Sequence, residues 1–407
     1  MINIQSINII KRISIYSLIL LFAYLSIFFY FSAMDATSAV KTPAPEGIDF
    51  SVYYTAGNMA LNGQAADLYN YDLFHYELEK VLKREIPQLL GWIYPPSYLS
   101  MIVLFAIIPY YISLDLWILL TLSLAIYSSY LLLPKYKQIG LLVCGFPGVL
   151  MNLRWGQNAF LNTALLGFGL YFFDRKPILA GLMFGLLTYK PQMAFFPLLL
   201  ILITKNWKVL IWSGIFALAN IIISAIIFGI TIWYNFLDTF LSSMNSQLYI
   251  MWEEISAVQP TIYSFLRILG VEDLIIQIIL GIIAIIVTIV SAWVWRKTDR
   301  LALKGTVMVL GILLTMPYYM QYDLMILSIP LILLFYDFME HGYRPYEIAI
   351  LMSLWFMPLV NWPLVILTKI QICPFILFAV LAMAVIRTKK AFVGKTSTLL
   401  QRETVSN

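Results

Sequence analysis

Residues 273–295 read DLIIQIILGIIAIIVTIVSAWVW and carry a single charge, Asp273, at the first position. A run of this length is what an α-helix needs to cross about 30 Å of hydrocarbon at about 1.5 Å per residue. A membrane strand would alternate apolar and polar positions, so the continuous run selects a helix. Residues 13–33, ISIYSLILLFAYLSIFFYFSA, repeat the pattern. Lys11 and Arg12 precede that stretch as they would in a signal peptide. It is longer than the roughly 7–15 residues of a signal-peptide core, which predicts an uncleaved first helix.

Working outward, further apolar segments fall near 97–112, 115–133, 139–152, 158–173, 177–189, 192–204, 208–230, 303–317, 323–336, 346–361 and 370–386. Hydrophobic residues fill 61% of the 407 positions and charged ones 12%, about half the charged share of a soluble domain. The expected fold is an all-α integral membrane protein, a single membrane domain over 1–407 with about twelve transmembrane helices. Clusters of basic residues mark its cytoplasmic side: Lys11-Arg12, Arg175-Lys176, Lys205 with Lys208, Arg296-Lys297 with Arg300, Arg344, and Arg387 with Lys389-Lys390. They place both termini inside, including the tail 387–407, and put 34–96, 190–191, 231–272, 318–322 and 361–363 outside. Two internal termini require an even number of crossings, whereas the segments number thirteen. One of the short pieces 97–112, 139–152 or 158–173 is therefore expected to be a half-helix, which is tolerated where it lines a protected cavity.

The net charge of +5 is accounted for by these basic clusters and does not point to nucleic acid. Cys144 and Cys373 both sit in apolar segments and read as free, buried thiols; His75 and His341 are too few for a His-based metal site. No Walker motif or dinucleotide loop occurs, so no cofactor is expected, although the need for a divalent ion stays open. Residues 34–96 carry eight acids and four bases. They read as an outer loop holding a short helix at 50–62, opened by Asp49, and another at 72–84. The apolar side of the second, with Leu73, Phe74, Tyr76, Leu78, Val81 and Leu82, is expected to lie in the lipid interface.

Several polar groups stand at the ends of the apolar runs. Asp49, beside Tyr53 and Tyr54, is either a helix N-cap or a general base for a sugar hydroxyl, and the two readings are compatible. Tyr94 lies in Trp92-Ile93-Tyr94-Pro95-Pro96, otherwise ordinary boundary residues. Arg154-Trp155-Gly156-Gln157-Asn158 places a guanidinium, suited to phosphate, near hydrocarbon. Lys190, with Gln192 two residues on, is a cation on the expected outer side, against the positive-inside bias. Arg154 and Lys190 on one face would suit a lipid-phosphate leaving group; the plain alternative for each is snorkelling to headgroups. Tyr322 and Asp323 open another segment, where the helix dipole favours an anion. Glu253-Glu254 in 231–272 are candidate acceptor contacts, or a solvated loop.

Taken in order, Asp49-Phe50 with Tyr53-Tyr54 and Ala56-Gly57, Leu68-Tyr69, Tyr94-Pro95-Pro96, Gly156-Gln157-Asn158, Lys190-Pro191-Gln192 and Tyr322-Asp323-Leu324 resemble glycosyltransferase family 87 over roughly 45–330. The resemblance implies a GT-C fold and an active site facing away from the cytoplasm. It implies an inverting, mannosyltransferase-like enzyme of the plasma (inner) membrane and cell envelope, using a polyprenyl-phosphate sugar and a lipid or glycan acceptor. The family's catalytic base maps onto Asp49. Two rivals are a transporter or flippase of lipid-linked sugar, which would want ionisable groups at mid-membrane, and a non-catalytic scaffold, which would tolerate loss of the Asp49 charge.

Overall fold

A computed structural model describes residues 4–37, 46–86, 90–243 and 259–406 of the chain. Glu253 and Glu254 lie outside these residues. Every regular element among them is an α- or 3₁₀-helix, with no strand. Among the described residues, six helices are long and apolar enough to cross a membrane: Ile10–Thr37, Tyr110–Leu132, Trp207–Phe228, Asp273–Lys297, Gln321–His341 and Pro345–Thr368. They make this a multi-pass membrane protein. Five shorter apolar helices, Pro96–Ile107, Ala159–Phe172, Pro177–Tyr189, Pro191–Ile203 and Leu301–Thr315, pack among them.

Leu301–Thr315 carries one charge, Lys304 in its first turn, and sits at the centre, with Leu303, Val307, Leu310 and Leu314 buried. It packs against Pro191–Ile203, Asp273–Lys297 and Ser328–His341, as a helix apolar around most of its circumference must. Trp207–Phe228 and Asp273–Lys297 lie at the periphery and present Ile211, Ile222, Ile226, Ile278, Ile285 and Ile289 outward. Side chains as apolar as these stand at no cost against lipid.

Of the three segments expected to include a half-helix, 139–152 is the most broken. It divides into Lys137–Leu141, Leu142–Gly145 and Gly148–Trp155, interrupted at Phe146-Pro147. The longest piece has eight residues, about 12 Å of helix and well short of a crossing. The segment 97–112 gives Pro96–Ile102 and a 3₁₀ turn to Ile107, whereas 158–173 is one helix, Ala159–Phe172.

Two expectations are corrected here. The outer loop placed at 361–363 is helix interior, because Pro345–Thr368 runs through Pro358 and Pro363 and turns only at Lys369, with φ 61. Neighbouring groups can satisfy the carbonyls that an internal proline leaves unpaired, so the helix continues through both. The helix expected at 72–84 is observed as Tyr71–Leu82, but Phe74, Leu78 and Leu82 are buried in the protein core rather than facing lipid. Of the expected apolar side only Tyr76 is well exposed. An amphipathic pattern states that a face is covered, not what covers it.

Arg296, Arg300 and Arg387, from two of the basic clusters, meet at one end of the bundle together with Lys135. Arg296 donates to the Ile203 carbonyl, Lys135 pairs with Glu340 at 2.9 Å, and Arg300 pairs with Asp337 at 3.5 Å. Buried Arg387 bridges Asp337 at 2.6 Å and Glu347 at 2.9 Å. Leu301–Thr315 starts at this end and runs its fifteen residues to the segment carrying Tyr318, Tyr322 and Asp323. That separates the two ends by about 22 Å.

Candidate functional site

Two glycines build the site's first contact. Gly47 (φ +69) precedes the helix Ile48–Leu61, and Gly156 (φ +68) terminates Gly148–Trp155. Both are left-handed, a conformation glycine adopts without a Cβ penalty. A Cβ on Gly156 would lie 2.7 Å from the Phe50 Cβ and 3.1 Å from the Gly47 Cα. The Gly47 amide donates to the Arg154 carbonyl at 3.3 Å. This close crossing sets Asp49, in the first turn of its helix, against Gln157. Gly156→Ala is therefore expected to cost about 1–3 kcal/mol through strain and overpacking. It should lower the thermal unfolding midpoint in detergent and depress activity by parting Asp49 from Gln157.

Asp49 does not cap its helix: that helix has no side-chain cap bond. Its Oδ2 instead accepts from Gln157 Nε2 at 2.9 Å. The physical reason lies in register, since Asp49 falls inside the first turn rather than before it. The helix dipole still favours its negative charge. Gln157 is buried and fully engaged. Nε2 also donates to the Tyr322 hydroxyl at 3.1 Å, while Oε1 accepts from the Tyr53 hydroxyl at 2.5 Å and from the Asn158 amide at 3.1 Å.

Asn158 forms a second hub. Its Nδ2 donates to the Tyr94 hydroxyl at 3.1 Å, and its Oδ1 accepts from Lys190 Nζ and from Asn162 Nδ2, each at 3.3 Å. Lys190 stands between the turn Leu187–Tyr189 and the helix Pro191–Ile203, and is buried. Its Nζ lies 2.6 Å from Asp323 Oδ1, and Asp323 Oδ2 accepts the Met320 amide at 3.2 Å. Asp323 is thus both a helix-start anion and an ion-pair partner. Gln192 donates to the Tyr318 hydroxyl at 3.2 Å. Asp49, Tyr94, Gln192, Tyr318 and Tyr322 keep part of their surface accessible, while Tyr53, Gln157, Asn158, Lys190 and Asp323 form a buried floor.

The structure thus gathers Asp49, Tyr53, Tyr94, Gln157, Asn158, Lys190, Tyr322 and Asp323 into one linked cluster, with Gln192 joined to Tyr318 near it. Tyr54 is not part of it: its hydroxyl donates to the Ile108 carbonyl at 2.9 Å and its ring packs on Tyr110. Adjacent positions on a helix point about 100° apart, so Tyr53 and Tyr54 cannot share a face. Arg154 sits at the rim, its side chain 45% exposed, and pairs with Glu46 at 3.1 Å. Neither cation stands alone: each of the two expected phosphate ligands pairs with a carboxylate, Arg154 with Glu46 and Lys190 with Asp323.

The sequence by itself assigns no role to Tyr98, Tyr189, Asn162, Tyr318 or Glu46. Tyr98 stacks on Tyr189 at 4.4 Å, and Tyr189 donates to Asn162. Asn162 was within reach of pattern analysis, because it follows Asn158 by four residues on the same helical face. Glu46 carried no such signal.

Burial pushes the Asp49 carboxyl up to about 6. The Gln157 hydrogen bond and the Lys190 and Arg154 charges act the other way, and the nearby Asp323 charge adds to the rise. Glu46 is pushed up to about 7 by burial, with Arg154 opposing and Asp35 adding repulsion. A partly accessible carboxyl that titrates near neutrality is suited to taking a proton.

The sequence profile described as Glycosyltransferase family 87 matches residues 92–317, more than half of the chain. The chain belongs to glycosyltransferase family 87. No curated protein and no solved structure matches it. The family 87 match is narrower than the span of the resembling motifs. It contains Tyr94, Gln157, Asn158, Lys190 and Gln192 but ends before Tyr322 and Asp323 and begins after Asp49. Hydrogen bonds and an ion pair reach across those borders, from Gln157 to Asp49 and from Lys190 to Asp323. As a family 87 member the protein is a glycosyltransferase, with a sugar donor and an acceptor as its substrates.

Proposed function

We propose that the protein moves a hexose, mannose-like, from a polyprenyl-phosphate sugar to a hydroxyl of a lipid or glycan acceptor, with inversion, on the extracytoplasmic face of the plasma membrane. The observation that carries this is Asp49: a partly accessible carboxylate at one end of a membrane bundle, held by a buried polar floor. The basic clusters at the opposite end support an extracytoplasmic site, since such clusters stay inside. A donor delivered through the lipid suits that side, where nucleotide sugars are not supplied.

In the displacement, the acceptor oxygen attacks the anomeric carbon as the bond from that carbon to the phosphate oxygen breaks. The electron pair leaves with the phosphate, and the acceptor proton passes to Asp49. One carboxylate suffices for a single inverting step without a covalent sugar intermediate. The leaving phosphate needs a cation. Lys190 is neutralised by Asp323, so we assign the contact chiefly to Arg154. Its side chain is 45% exposed at the rim, where a lipid-borne phosphate can reach it beside Glu46. All the charged members of the site stand at helix ends or in turns rather than at mid-helix, which favours transfer chemistry over a transport path.

Purified protein in detergent, given a panel of labelled polyprenyl-phosphate sugars and total lipid extract, should yield labelled product from at least one donor. Donor crossing a reconstituted bilayer, with no product from any donor, would replace this reading by transport.

A further inference from the structure

The directions of the hydrogen bonds in the buried floor follow from counting protons. Lys190 can only donate, so the Asn158 atom facing it at 3.3 Å is Oδ1 and the Nδ2 group faces Tyr94. The Asn158 backbone N–H likewise fixes Oε1 of Gln157 as an acceptor. Tyr53 has one hydroxyl proton and gives it to that Oε1. Its contact with Tyr94 at 3.0 Å therefore has Tyr94 as donor. The Tyr94 oxygen in turn accepts from Asn158 Nδ2. Gln157 closes the series by donating to Asp49.

We propose that these links form a one-way hydrogen-bond chain from the Lys190 ammonium through Asn158, Tyr94, Tyr53 and Gln157 to the Asp49 carboxylate, so that Tyr53, Tyr94 and Asn158 are positioning residues for the base rather than sugar-binding residues. The inference rests on the reading of Asp49 as base. Dipoles aligned head to tail polarise one another in a low-dielectric interior, so each link strengthens the next. A cation at the donor end and an anion at the acceptor end is the arrangement that such a chain favours. The chain also stops the Gln157 amide from flipping and turning its oxygen lone pairs toward Asp49. The charged groups facing Asp49 are Lys190, Arg154 and Asp323, and the phenols near it are Tyr53, Tyr94 and Tyr322.

Tyr94→Phe tests this without touching Asp49 or Gln157. The ring keeps its packing on Tyr98 at 4.8 Å and Trp92 at 5.4 Å, while the donor to Tyr53 is lost. We expect kcat to fall about tenfold, donor KM to hold within about twofold, and the acid limb of kcat/KM to move up by about half a pH unit or more. Tyr53→Phe should act in the same direction. The double variant should be little worse than the more impaired single one, because a chain cut twice is no more cut than once. A raised donor KM with kcat and the acid limb unchanged would make these tyrosines sugar contacts and overturn the chain. So would full additivity of the two variants. Asp49→Asn is run beside them: if it keeps activity the base itself is wrong, whereas an inactive Asp49→Asn with an unmoved limb in both tyrosine variants removes the chain alone.

Discussion

Asp49→Asn is expected to lower sugar transfer by about a hundredfold to ten-thousandfold, the range that a positioned general base contributes, while the protein still folds and reaches the membrane. The substitution is nearly isosteric, and the asparagine oxygen can still accept the Gln157 N–H that now meets Asp49 at 2.9 Å. What it lacks is a site for the acceptor proton. Thermal unfolding in detergent should therefore move little while turnover collapses, and donor KM should change less than kcat. The wild-type pH profile offers a second check on the same group. The base must be ionised to act, and burial holds its carboxyl near about 6. Transfer should rise as pH increases through that value and level off above it. A profile flat from pH 5 to 8, or an active asparagine variant, would place the base elsewhere.

The second large effect concerns Lys190 and Asp323, which meet at 2.6 Å with side chains 6% and 3% exposed. A buried ion pair adds little over an apolar pair of the same shape, but removing one partner strands the other charge away from water. Lys190→Met and Asp323→Asn, made singly, should each cost about 3–5 kcal/mol. The combined variant should recover more than half of that loss, since neither charge is then left alone. The side-chain oxygen of the introduced asparagine can also keep the bond from the Met320 amide that Asp323 accepts at 3.2 Å. Stability in detergent measures this coupling directly through a double-mutant cycle. Activity should not recover with stability, because the double variant has no cation beside Asn158. Additive losses would mean that the two side chains do not depend on each other in the folded protein.

The Lys190–Asp323 contact also marks where pattern reading stops. The sequence placed each residue correctly at the end of an apolar run, and each was given its own role, Lys190 as a phosphate ligand and Asp323 as a helix-start anion. Their separation of 133 positions hides the pairing, and the pairing changes the assignment, because a neutralised ammonium is a poor sole partner for phosphate. Arg154 and Glu46 repeat the lesson across 108 positions. Tyr53 and Tyr54 show the same limit at the shortest range, as one faces the buried floor and its neighbour faces the Ile108 carbonyl.

Composition and periodicity by themselves determined that this chain is helical and crosses a membrane several times, because apolar run length and charge placement are local properties with only a few physical solutions. They also determined which polar groups stand at helix ends, and the ordered motifs pointed to the family. Only the tertiary structure decided that the segment 139–152 breaks into short pieces, that the helix Tyr71–Leu82 turns its apolar face to protein, and that Gly47 crosses Gly156 closely enough to set Asp49 against Gln157. Hydrogen bonds and ion pairs are made over a few ångströms between residues a hundred positions apart. Their partners are fixed by how the helices pack, and no local pattern in the chain encodes that.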